Sequence, residues 1–337
     1  MKKISSHWIN VDEYLKYLDD FSSTQTSMYH NPLWLNSITR GFSCELKFVR
    51  TMSKNSTLAL TPFMTQKKGP ISLIGSPLRG MYTEFLGTLF KNDLNIDDIN
   101  NILKSQHDLI SPNMHYIEWA IKESNKTEIL LNKYENLGYE YFQKPSLLID
   151  LSIGKEALWS SFKGRARNMI RKGEKAEIYA KAVNPSQEWL SEYYKLLEET
   201  FSRQGLSPPH PFSFYKEIEN LSNQGFILCF EVVLEKKLVS AAIFLIDKKR
   251  MMYFSGVSNS IGMKLAASSL IQWKAMQNAI DIELIDYDMG GLGVDSIDKF
   301  KRSFGGKDIY HSKWLYRSKT FKILEPIALW LSRKGLI

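Results

Sequence analysis

Two spacings of apolar residues alternate along this chain. In "NVDEYLKYLDDF" (residues 10–21) and "LNIDDINNILKSQHDLI" (94–110) apolar residues recur three and four positions apart, the repeat of a helix with one dry side. "NPLWLNSITRGF" (31–42) adds a short helix, with Asn31 as its cap and Pro32 in its first turn. "CELKFVRTM" and "STLALTPFM" carry strand-like runs on either side of the turn "SKNS", which predicts a hairpin. "GPISLIGSPLRGMYTEF" reads as a strand and loop, "HYIEWAIK" as a strand, "EILLNKYENLG" as a helix ending at Gly138, and "SLLIDL" as a strand.

The same scheme returns from about residue 151. "GKEALWSSFKGRARNMIRKGEKA", "PSQEWLSEYYKLLEETFSRQG" and "PFSFYKEIENLSNQ" each predict one helix. A hairpin with its turn at 235–237, a third strand "RMMYFSGVS", a helix "MKLAASSLIQWKAMQNAI" and a strand "IELIDYDMGG" follow. Each half thus runs from helices through a meander of strands to a further helix and strand. That order predicts an α/β (α+β) fold of two tandem domains, each a mostly antiparallel mixed sheet flanked by helices. The boundaries expected are 1–150, 151–316 and a basic helical tail over 317–337.

Composition narrows the function classes. Apolar residues make up 44% of the 337, enough for two cores. No apolar run is long enough to span a membrane, and no apolar stretch follows the two lysines at the start. Cys44 and Cys229 are the only cysteines, so neither a disulfide framework nor a cysteine metal site is expected, and a cytoplasmic setting fits. The six histidines show no metal-ligand spacing, and no metal is expected. No Gly-x-Ser-x-Gly elbow, phosphate-binding loop or dinucleotide fingerprint occurs. The net charge of +8 favours anionic partners: nucleic acid, phosphorylated substrates or an acidic lipid surface.

Four stretches carry candidate chemistry. The basic helix holds Arg167 and Arg171, four residues apart and so on one face, suited to gripping phosphates. "ETFSRQG" sets Arg203 at a helix end before a proline-stiffened loop. In "MMYFSGVSNSIGMKLAASSLIQWKAM" a strand with Tyr253 leads through Gly262 and Lys264 into a small-residue helix starting near Ser268, where exposed amides attract anions. "IDYDMGGLGVDSIDKFKRSFGG" carries Asp288, then the pair Phe300-Lys301.

The order of these features resembles the Fem-type (FemABX-like) aminoacyl and acyl transferases of the Gcn5-related N-acetyltransferase superfamily. "RARNMIRKGEKA" after Trp159, "TFSRQG", "LIQWKAM" and "YDMGG…FKRSFGG" carry the likeness, with "NPLWL" and "TPFM…GSPLRG" in the first half. The resemblance implies two Gcn5-like domains, with catalysis in the second. It implies transfer of an acyl or aminoacyl group, from acyl-CoA or aminoacyl-tRNA, to an amine on a phosphorylated or lipid-linked amino-sugar or peptide precursor of the cell envelope. Lys301 takes the place of the lysine that stabilises the developing oxyanion, and Arg203 that of an arginine contacting acceptor phosphates. Asp288 is the candidate base, Phe300 shapes the slot, and Gly262, Lys264 and Ser268 are expected on the donor. No long coiled-coil insertion of the tRNA-binding kind is present, so the donor stays open between acyl-CoA and tRNA. The tail, basic around "ILEPIALWLS", would either dock on the protein or rest on the inner membrane face. The competing class is an inactive Gcn5-like module that binds RNA or another polyanion.

Overall fold

The structure, a computed structural model, describes residues 3–21, 26–122, 133–203 and 205–333, with residues 327–333 described by backbone alone. The chain divides into two compact units. One comprises residues 1–39, 43–144 and 310–337, and the other residues 40–42 and 145–309.

In the first unit, β1 (Ile4–Ile9), β2 (Glu45–Ser53), β3 (Ser56–Lys68), β4 (Ile71–Ser76), β6 (Tyr116–Lys122) and the last strand, β13 (Lys307–Arg317), pair in that order, and β5 (Leu89–Phe90) pairs with β3. Among the described residues β4 and β6 run parallel, and the pairs β1–β2, β2–β3, β3–β4, β3–β5 and β6–β13 are antiparallel. Local chemistry starts the helices. Asn10 and Glu13 close a capping box on α1 (Val11–Leu18). Asn31 caps α2 (Pro32–Phe42), and Asn95 caps α3 (Ile96–Ile110). Phe63, Trp119 and Trp314 lie in the core between sheet and helix.

The sheet of the second unit runs β7 (Glu140–Asp150, from Pro145 on in this unit), β12 (Asp286–Gly291), β11 (Arg250–Ser258), β10 (Lys237–Asp247), β9 (Ile227–Leu234) and β8 (Ala180–Val183). Only β11 and β12 are parallel. The helices are α4 (Gly154–Ser161), α5 (Gly164–Lys175), α6 (Gln187–Ser202), α7 (Phe212–Lys216), α8 (Ile218–Asn223), α9 (Ser260–Lys264), α10 (Ala267–Asp281) and α11 (Asp295–Lys301). Buried residues of these helices and of the turns beside them, among them Leu158, Phe162, Ile170, Trp273 and Phe304, form one core with the sheet. Burying each such apolar side chain contributes on the order of 1.5–3 kcal/mol. The expected class, a mixed α/β fold on a largely antiparallel sheet, is what the chain adopts.

Several elements differ from the sequence reading. β1 and β8 were not anticipated. The single helix expected over 154–176 is two. Phe162 turns extended (ψ 143), and the Lys163 N–H leaves the helix ladder to donate to the Ser303 carbonyl at 2.9 Å. The helix expected over 211–224 is likewise two short ones, α7 and α8. The first part of the helix expected over 128–138 lies outside the described residues. In the tail, α12 (Lys319–Arg333) runs through Pro326, which was expected to interrupt it. Its near end packs Phe321 on Tyr116, ring centres 5.1 Å apart, and Glu325 pairs with Arg79 (2.9 Å) and Arg317 (3.2 Å). Among the described residues, no helix is long and apolar enough to cross a membrane.

Candidate active site

β11 and β12 pair only through Arg250–Met252 and Asp286–Asp288. Beyond that point they part. β12 bulges: Asp288 faces Leu148 of β7, and the next pair is Gly291 with Ser146, so one extra residue lies on β12, with Gly290 at φ 75. β11 continues to Ser258 and has its own irregularity, Phe254 standing unpaired between the partners of Phe244 and Ile243. The result is a notch between two parallel strands, with backbone on one wall freed from the ladder.

Lys301 ends α11 at one end of this notch. Asp298 secures the start of that helix by accepting from the Gly293 and Val294 amides. Lys301 is buried, 7% exposed, and its Nζ donates to the Gly291 carbonyl at 2.7 Å, so the ammonium sits at the end of β12.

The neighbouring aromatics do something other than line a slot. Phe304 is wholly buried, edge-on to Phe162 at 5.2 Å and to Phe300 at 5.4 Å. A Cβ on Gly306 would lie 2.7 Å from the Leu148 carbonyl. The "SFGG" segment is therefore pressed against α4 and β7, and its glycines admit the protein's own backbone rather than a substrate. Phe300, half-buried, lies at the core's edge.

Asp288 is wholly buried. Its Oδ1 accepts from Ser146 Oγ (2.6 Å) and from the Gly290 amide (2.9 Å). Its Oδ2 makes no hydrogen bond among the described residues and lies 3.6 Å from Nη1 of Arg250, whose Nη2 donates to Asp286 at 2.9 Å. A buried carboxylate needs such a countercharge. Arg250 and Ser146 were missed from the sequence. Asp286 and Asp288 stand two apart in a strand and so share a face, a pattern that calls for a cation nearby.

At the other end, Ser258 organises the residues expected on the substrates. Arg203, the residue capping α6, donates to the Ser258 carbonyl at 2.8 Å and to Thr200 Oγ1 at 3.3 Å. Ser268, half-buried at the start of α10, contacts the Ser258 hydroxyl at 2.9 Å, and that hydroxyl contacts Ser240 at 2.6 Å. Ser240 donates to the Val257 carbonyl, so Ser258 donates to Ser240 and Ser268 donates to Ser258. The Ser268 proton is committed inward, and a ligand arriving from outside meets a hydrogen-bond acceptor.

Gly262 is buried. Its amide is held by Asn259 Oδ1 at 2.9 Å, and a Cβ there would lie 2.3 Å from the Val239 carbonyl. Its bare Cα lets α9 press on β10. Lys264 ends α9, exposed. Tyr253 lies half-buried on β11 near the parting, its ring 5.6 Å from Phe244, and a Cβ on Gly256 would meet its hydroxyl at 2.1 Å. Nearby Tyr287 donates to Gln272 Oε1 at 2.5 Å, and burial first, then Tyr253, pushes its phenol well above the ordinary range.

Arg167 and Arg171 lie apart from this cluster. Arg167 donates to the Ser160 carbonyl at 3.0 Å, and the Arg171 guanidinium lies 5.5 Å from the Trp159 ring centre. Their contacts among the described residues are thus with α4, not with either end of the notch. The structure gathers Lys301, Phe300 and Asp288 at one end and Arg203 and Ser268 at the other, with Tyr253 on β11 between.

Residues 160–302, all in the second unit, match the family described as an acetyltransferase (GNAT) domain. No curated protein sequence matches the chain. Solved structures do. FemX is 14% identical with a TM-score of 0.69, over 96% of this chain and 99% of that one. A domain from Agrobacterium fabrum assigned as the C-terminal domain (DUF2156) of a lysylphosphatidylglycerol synthetase is 12% identical with a TM-score of 0.58, over 95% and 97%. A tandem GNAT protein from the clavulanic acid biosynthesis pathway is 8% identical with a TM-score of 0.59, over 94% and 98%. Residues 160–302 thus match the acetyltransferase (GNAT) domain model, and the chain as a whole has the fold seen in FemX and in the tandem GNAT protein.

Proposed function

We propose that the protein transfers an acyl or aminoacyl group from a thioester or an aminoacyl-tRNA to an amine of a phosphorylated or lipid-linked envelope precursor, in the notch between β11 and β12. The observation that carries this is a buried ammonium, Lys301, held by the Gly291 carbonyl at the end of a strand that has just left its parallel neighbour. Attack of a neutral amine on the acyl carbon forms the C–N bond and puts negative charge on the carbonyl oxygen. The C–S or C–O bond to the donor then breaks, and the leaving group takes up a proton. A fixed cation at the developing oxyanion lowers this barrier by about 3–4 kcal/mol. With both substrates held together, no enzyme-bound intermediate is needed.

In this reading Phe300 screens Lys301 from water on the core side, and Tyr253 borders the acceptor. Arg203 keeps α6 against the strand end and offers its remaining N–H groups to acceptor phosphate. Ser268, Lys264 and the turn at Gly262 border the donor. Arg167 and Arg171, on the outer helix α5, serve an extended anionic substrate such as tRNA. The names of the FemX and lysylphosphatidylglycerol synthetase structures favour an aminoacyl donor, and that of the tandem GNAT protein an acyl one. Incubating the protein with a panel of acyl-CoAs and charged tRNAs and reading acceptor adducts by mass spectrometry tests the proposal. Transfer from neither class, alongside salt-dependent RNA binding that Lys301→Met leaves unchanged, would replace it with the polyanion-binding module.

The reading places the protein at the cytoplasmic side of the envelope. Its tail docks through Phe321 and Glu325, leaving Ile323 exposed. Co-sedimentation with anionic liposomes, with and without residues 318–337, measures any membrane contact of that segment.

A further inference from the structure

The strand that carries Asp288 also carries the carbonyl that holds Lys301. Resting on the transferase reading, we infer that Asp288 is a positioning residue: with Ser146 and Arg250 it fixes the β12 bulge, and the bulge aims the Gly291 carbonyl that orients the Lys301 ammonium.

Asp288 stands where two changes coincide. It makes the last pair with β11, and the extra residue of β12 follows it. Its Oδ1 grips both sides of that irregularity. One bond comes from Ser146 on β7, the partner of Gly291, and the other from the amide of Gly290 within the bulge. A carboxylate that accepts from the amide two residues on closes a local turn. Without it, the buried Gly290 N–H would have to find another acceptor, and the bulge would lose its reason to sit where it does. Arg250 sets a guanidinium 3.6 Å from Oδ2 of this wholly buried side chain, and Asp286 in turn holds Arg250. The next carbonyl along, that of Gly291, accepts from Lys301 Nζ. A general base must reach the proton it removes. A carboxylate wholly buried, with one oxygen twice bonded and the other toward a guanidinium, is built to hold backbone instead.

Competitive acetylation with acetic anhydride, read residue by residue by mass spectrometry on the full chain, tests this without any need for transferase activity. Lys299, exposed on the same helix, is the internal reference. In the wild type Lys301 should be labelled about tenfold or more slowly than Lys299, as a protected group is. Asp288→Asn turns an amide N–H toward Arg250, and Ser146→Ala removes one of the two grips on Oδ1. Each should raise Lys301 labelling several-fold toward the Lys299 rate, Asp288→Asn more, while the other lysines of the second unit and the thermal unfolding profile stay as they were. Lys301 still protected in a folded Asp288→Asn or Ser146→Ala protein would overturn the inference. If Asp288→Asn does not fold, Ser146→Ala decides alone. Once a donor is in hand, a positioning role also requires Ser146→Ala to lower kcat with KM unchanged. A loss confined to Asp288→Asn, with Ser146→Ala at the wild-type rate, would mark Asp288 as the base and also overturn the inference. Failure to find any transfer would sink the transferase reading and leave the labelling result standing.

Discussion

Arg203 Nη2 donates a 2.8 Å hydrogen bond to the carbonyl of Ser258, joining the end of α6 to the last residue of β11. The same serine carries, through its hydroxyl, the contact to Ser268 at the start of α10. Three elements therefore meet at one residue at the mouth of the notch. The guanidinium is exposed, so this hydrogen bond to a neutral carbonyl is worth about 1 kcal/mol. Arg203→Ala should lower stability by about that amount in urea unfolding. In a working transfer assay it should raise the acceptor KM more than it lowers kcat. The same drop in stability with unchanged KM would make Arg203 a helix cap and nothing more.

Gly262 separates packing from ligand binding. Any side chain there drives a Cβ to 2.3 Å from the Val239 carbonyl, which is backbone and cannot swing away. Gly262→Ala should cost about 1–3 kcal/mol in urea unfolding as α9 is pushed off β10. A fully stable Gly262→Ala protein would show that α9 yields easily, and would return the glycine to the list of ligand-contacting positions.

The aromatic pair beside Lys301 divides in the same way. Phe304 is wholly buried and Phe300 half-buried, both packed on one core. Phe304→Ala should cost about 3–5 kcal/mol by chemical unfolding, and Phe300→Ala clearly less. Equal small effects would mean the pair lines open space.

These cases show where the sequence was legible. The hairpin of β2 and β3 announces itself by apolar strand-like runs around a polar turn, and the capped helices by Asn10, Asn31 and Asn95. β1 does not, because "ISSHWI" is short, half-polar and never fully buried. The break between α4 and α5 was hidden because Phe162 keeps the apolar phase of a single helix, while its cause, the Ser303 carbonyl, lies far away in sequence. β13 pairs with β6, some two hundred residues upstream, a partnership that no local pattern encodes. A motif singles out Lys301, and none singles out Ser146 or Arg250, since each gains meaning only when β7, β12 and β11 lie side by side.

Burial of phenols makes a prediction about alkaline pH. Tyr14, Tyr116, Tyr134, Tyr139 and Tyr287 are all raised from their ordinary values, desolvation being the first cause in each. Burial also raises Cys44 to about 11. A raised folded value means that the unfolded chain loses its protons first. Stability from the phenols is therefore complete below their unfolded value near 10, and that from Cys44 below its unfolded value near 9; each contribution falls as pH rises above that value, by about 1.4 kcal/mol per pH unit for each group. Urea midpoints should be level up to about pH 8, fall gently above it as the thiol titrates in the unfolded chain, and drop steeply beyond about pH 10. Tyr287→Phe should make the drop shallower for the second unit. A midpoint flat to pH 11 would contradict the burial described.

The proposed transfer depends most on the ammonium of Lys301. With a donor identified by mass spectrometry, single-turnover rates for wild type and Lys301→Met, each paired with acceptor binding by calorimetry, test it directly. Lys301→Met should lower the rate by about two to three orders of magnitude with acceptor affinity nearly unchanged, as for loss of one oxyanion contact. A wild-type rate in the folded variant would contradict it.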